Sequence, residues 1–103
     1  MARPITRQGD LETTHICSVP RRVGAFGSVF ANGKRVSGAG HKNNRHLYKF
    51  GIFCLPHALG LKPSQGTVFA EGILVGRVGD ITCPGPTVVV KVAQGSPNVM
   101  VGG

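Results

Sequence analysis

The tetrapeptide Arg7-Gln8-Gly9-Asp10 returns as Arg77-Val78-Gly79-Asp80, and a worn copy, Gly38-Ala39-Gly40-His41, stands between them. A second element, Gly27-Ser-Val-Phe-Ala-Asn-Gly33, returns as Gly66-Thr-Val-Phe-Ala-Glu-Gly72. The tail, Gly95-Ser-Pro-Asn-Val-Met-Val-Gly-Gly103, reads as a further copy of this second element. The chain opens on the first motif and closes on the second, so the units count to three when read circularly. Repetition on this scale forces each unit into the same local structure. Val-Phe-Ala is β-prone, and Asn32-Gly33 is a tight-turn pair because both residues accept a positive φ. Glu71-Gly72 holds the same place. Each unit therefore reads as strand, tight turn, strand, turn, with Val88–Val92 and Asn98–Val101 as additional strands. Asp10 and Asp80 read as turn scaffolding, since a carboxylate can accept nearby backbone N–H groups. Only Leu47–Phe53 invites a helix, and a short one.

Sixteen glycines and seven prolines in 103 residues oppose long helices. The length suits one domain, 1–103. An apolar share of 41% excludes a wholly disordered chain. No stretch approaches the roughly 20 apolar residues of a membrane span, and Met1–Asp10 lacks the apolar core of a secretory signal. The net charge of +8 points to nucleic acid, an anionic surface or an acidic protein partner. No aromatic interleaving and no recognition helix accompany it, so nucleic acid is not the expected partner. Asp10, Glu12, Glu71 and Asp80 are the only carboxylates, which leaves little for paired acid–base chemistry. Three cysteines fit a disulfide framework poorly. With four histidines they suggest a metal site, and a Gly-rich chain with 6% aromatics needs such a staple. Cys17 reads as a small buried hydrophobe and His41 as a turn residue. Cys54-Leu-Pro-His57 also has a spacing that suits zinc.

Three features together resemble the PAAR-repeat family. They are the opening Pro4-Ile5-Thr6-Arg7-Gln8-Gly9-Asp10, the strand Gly27-Ser28-Val29-Phe30 with its copy, and the ending Gly95-Ser96-Pro97-Asn98-Val99-Met100-Val101-Gly102-Gly103. The resemblance spans Ala2–Gly103. Of the Pro-Ala-Ala-Arg signature only Pro4 and Arg7 remain, and the middle copy has lost Pro, Arg and Asp. The resemblance implies a mainly β, small conical fold of short hairpins with three pseudo-threefold repeats and one metal ion. It implies a membrane-piercing tip that caps a trimeric β-helical spike, one monomer per trimer, in a contractile phage tail or, alternatively, a type VI secretion spike. The protein would then be made in the host cytoplasm and carried on the virion, or be secreted. It would touch the target envelope transiently and have no small-molecule substrate. Matching the family's ligand positions gives His15, His46, His57 and Cys83, with zinc as the expected ion and iron also compatible. Phe30, Phe69 and Val99, read as equivalent strand positions, are the expected spike contacts, with the core as their alternative place. With no extension at either end, the chain reads as a bare cap rather than an effector. A basic zinc module for nucleic acid is the further alternative. A metallo-enzyme would need an open metal position and a general base, and the pattern offers neither.

Overall fold

A computed structural model describes residues 2–83 and 88–102. Among them the chain forms short antiparallel strands and no helix. In chain order these are β1 (Arg3–Pro4), β2 (Phe30–Ala31), β3 (Lys34–Arg35), β4 (His46–Phe50), β5 (Phe53–His57), β6 (Phe69–Ala70), β7 (Ile73–Leu74), β8 (Ile81–Cys83), β9 (Val90–Lys91) and β10 (Met100–Val101). The turn signals explain the pairing. Asn32 and Gly33 take φ values of 57° and 77°, and Glu71 and Gly72 take 49° and 78°. Two left-handed residues in succession match the right-handed twist of a hairpin. They fold β2 onto β3 and β6 onto β7. The third pair has no turn, because β10 and β1 bring the two ends of the chain together.

The three pairs meet in a closed circuit of backbone hydrogen bonds. The Thr6 N–H donates to the Gly76 carbonyl at 3.1 Å, Ser37 to Thr6 at 3.0 Å, and Gly76 to Ser37 at 2.9 Å. Ile5, Val36 and Val75 precede these residues and are all buried. With Phe26, Ala31 and Val101 they form the apolar core. The neighbouring turns also correspond. Asp10 Oδ2 accepts the Arg7 N–H at 2.8 Å, and Asp80 Oδ2 accepts the Arg77 N–H at 2.9 Å. His41 Nδ1 accepts the Gly38 N–H at 2.9 Å. An imidazole therefore does the work of a carboxylate in the worn copy. Arg7 both chelates Asp10 and reaches the Asn32 side chain of the next unit.

Close approach at this circuit requires glycine. A Cβ built on Gly38 would stand 2.5 Å from the Leu74 carbonyl oxygen and 2.5 Å from the Phe26 ring. Neither neighbour can retreat without breaking the core, so Gly38→Ala should cost about 1–3 kcal/mol. The check is a lower urea midpoint at unchanged m-value.

Three expectations change. The segment Leu47–Phe53 is no helix: β4 and β5 form a hairpin with Phe50 paired to Phe53, and Gly51 turns it at φ 61°. The strands expected over Val88–Val92 and Asn98–Val101 shrink to β9 and β10. Val99 is not equivalent to Phe30 and Phe69. Met100 faces Pro4 as Phe30 faces Arg35 and Phe69 faces Leu74. Val99 instead accepts the Ile5 N–H, as Val29 accepts that of Val36 and Val68 that of Val75. The exposed set at matching positions is therefore Phe30, Phe69 and Met100, at 57%, 57% and 52%.

Candidate metal centre

A buried polar chain leads from the backbone circuit to the site. Ser37 Oγ accepts Arg22 Nε and Nη2 at 3.1 and 3.0 Å. Arg22 Nη1 meets Glu12 Oε2 at 2.9 Å, and both side chains are fully buried. Glu12 Oε1 accepts Thr82 Oγ1 at 2.8 Å and Asn43 Nδ2 at 3.0 Å. Asn43 Nδ2 also lies 3.5 Å from Cys83 Sγ.

At the end of this chain the structure brings together His15, His46, His57 and Cys83. One ligand atom from each lies within 4.8 Å of all the others. His46 and His57 arrive as a cross-strand pair at the foot of the β4–β5 hairpin. Cys83 ends β8. His15 comes from a tight loop in which Ile16 is forced to φ 75°, a conformation a β-branched residue avoids unless its neighbours are held. His15, His46 and Cys83 are buried.

The donor set fits a metal ion. Bond lengths of about 2.0–2.1 Å to nitrogen and 2.3 Å to sulfur put tetrahedral ligand atoms about 3.3–3.6 Å apart. Cys83 Sγ lies 3.5 Å from His46 Nε2, within that range, while the Nε2 atoms of His46 and His57 lie 2.9 Å apart, a few tenths of an ångström closer than a bound ion would hold them. His46 Nδ1 is 2.8 Å from the Asn44 carbonyl. It must donate there, which leaves Nε2 with a free lone pair; this is the usual second contact of a metal-bound imidazole. Burial, and then the neighbouring His46, push the pKa of His15 and His57 below the ordinary imidazole value. The shift favours the neutral form that can ligate. Burial pushes the Cys83 thiol up, against the pull of Asn43 and Thr82. A bound cation would supply the missing positive charge and deprotonate the thiol. The Tyr48 ring stacks on His57 with centroids 4.1 Å apart and closes the site from one side.

Cys54 is excluded as a ligand, and Cys17 is not a lone apolar filler: the two form a disulfide across 37 residues of sequence. Constraining a loop of that length stabilises by about 4 kcal/mol in the chain-entropy account. The pairing arises because the His15 loop packs on the β4–β5 hairpin, where Ser18 Oγ bonds both the Leu47 N–H and carbonyl. Nothing in the spacing of Cys17 and Cys54 signals that contact. The supporting groups Asn43, Asn44, Thr82 and Tyr48 were likewise not singled out by the sequence, where Asn43-Asn44 sits inside a basic run.

No protein-family model matches the chain, and no curated protein matches it.

Proposed function

We propose that the chain is a structural tip, held rigid by one zinc ion, that caps the blunt end of a trimeric spike in the manner of the PAAR-repeat proteins it resembles. The observation that carries this reading is the threefold bonding of a single polypeptide. The Thr6–Gly76–Ser37 circuit sets three strand pairs around one point. Three large apolar side chains, Phe30, Phe69 and Met100, stand exposed at matching places on those pairs. A monomer that must meet three identical chains needs that arrangement. An apolar patch repeated in this way suits docking. Four protein donors would leave an ion no open position, so the centre is structural rather than catalytic. One thiolate with three imidazoles suits zinc, with iron as the alternative. A phage tail is the first choice of machine and a type VI spike the second.

The test is to mix the metal-loaded protein with a trimeric β-helical spike end and weigh the complex by native mass spectrometry. One monomer per trimer is expected. Phe69→Asp should weaken the complex at least 30-fold, since it puts a charge in an apolar contact. Any other stoichiometry, or no complex, overturns the reading.

A further inference from the structure

The β4–β5 hairpin serves the metal centre only as far as its third pair, where Tyr48 stacks on His57, yet it continues for two more. At about 3.4 Å per residue its turn stands roughly 14 Å beyond the His46–His57 pair. Its far end is apolar and bare: Phe50 is 64% exposed, Ile52 89% and Phe53 62%. Leu47 and Leu55 are also exposed. The disulfide at Cys54 and the Ser18–Leu47 bonds hold the hairpin from one side. An apolar tip that is pinned in the open is not a core residue out of place.

The charges around it have one sign. No carboxylate occurs between Arg45 and Lys62, while Lys49 lies on β4 and is exposed. Asp10, Glu12 and Asp80 are all buried, which leaves Glu71, bound to Ser28, as the exposed acid. The solvent-facing charge is thus almost wholly positive.

We propose that the hairpin turn is a lipid-inserting element that partitions into an anionic bilayer, with Phe50, Ile52 and Phe53 among the acyl chains and Lys49 at the phosphates. Phenylalanine and isoleucine at the extremity with a lysine one residue behind match the depth profile of an interface. Insertion is shallow by necessity. Among the described residues the hairpin is a sheet of two strands, and its open edges carry backbone groups that hydrocarbon cannot satisfy. It therefore stops within about 5–10 Å of the surface. A second copy is a poor occupant: three side chains cannot supply the roughly 800 Å² per partner of a stable interface, and like net charges repel. This deepens the tip reading by giving the leading end a chemistry, but it stands on the hairpin alone.

The experiment uses the oxidised, metal-loaded full chain and sedimented vesicles of phosphatidylglycerol with phosphatidylcholine, beside pure phosphatidylcholine. Binding should favour the anionic vesicles at least tenfold and fall with added salt. The charge-neutral triple variant Phe50→Ser/Ile52→Ser/Phe53→Ser should lose at least 30-fold, with metal content and melting temperature unchanged. Ile52→Trp, in a chain with no other tryptophan, should blue-shift on binding and be quenched by brominated acyl chains. Equal binding by the triple-serine variant would reduce the contact to surface charge and overturn the proposal. So would an unshifted tryptophan, or a tip that drives self-association or nucleic-acid binding in place of lipid binding. Spike docking is read separately through Phe69→Asp, so either property can fail while the other survives.

Discussion

Stripping the metal with a strong chelator should lower the melting temperature by at least about 10 °C. Among the described residues the main apolar cluster is six buried side chains, four of them valine or alanine, so the glycine-rich backbone has little apolar support beside the metal and the Cys17–Cys54 disulfide. Structural zinc sites contribute about 10–16 kcal/mol in small peptides. Even a quarter of that, lost from a domain of this size, corresponds to about 10–32 °C. Cys83→Ser and His57→Ala should match the chelated protein and purify with less than one metal per chain. Acid should act in the same direction, because protons compete for the imidazoles and the thiolate. His41→Ala is the informative control. Its imidazole accepts the Gly38 N–H and meets Phe26 edge-on, so its loss should cost about 1 kcal/mol while the metal stays bound. A protein that is metal-free as purified, yet melts at the same temperature with and without chelator, would refute the centre.

What the sequence made legible, and what it did not, divides along physical lines. The hairpins at Asn32-Gly33 and Glu71-Gly72 were legible because a positive φ selects few residues, and those residues are written in the chain. The third strand pair was legible only as a tail that resembled them, and the two extra residues Pro97 and Asn98 obscured its register, so that Val99 stood in the place that belongs to Met100. The ligand set was reached through the family resemblance, not through spacing, because His15, His46, His57 and Cys83 come from separate loops and strands. The β4–β5 hairpin was misread because its residues beyond Tyr48 are exposed on both faces. A strand that buries neither face writes no alternation of period two. The Cys17–Cys54 bond was missed for a related reason: an odd cysteine count argues against a framework, but not against one pair with one ligand left over.

Glu12→Ala should be at least as damaging as metal loss, at about 3–5 kcal/mol. Glu12 is 2% exposed and Arg22 0%. Removing the carboxylate leaves a guanidinium in the interior with its charge uncompensated, and the penalty of such a change falls in that range. It also deprives Thr82 Oγ1 and Asn43 Nδ2 of the acceptor they share, and Asn43 in turn touches Cys83. The loss should therefore appear as weaker metal retention as well as a melting temperature lower by about 15–30 °C. Arg22→Met alone should be comparably harmful, because it strands Glu12. The double variant Glu12→Leu/Arg22→Met should recover much of the stability, since no unpaired charge remains, but not the metal affinity, since Thr82 and Asn43 would still lack their anchor. Exposed ion pairs weaken in high salt and buried ones do so much less, so the effect of Glu12→Ala should persist in 1 M sodium chloride. A cost below about 1 kcal/mol, or a double variant as unstable as the two singles summed, would mean that Glu12 and Arg22 do not act as a pair. The polar chain from Ser37 to Cys83 would then not be what couples the threefold circuit to the metal.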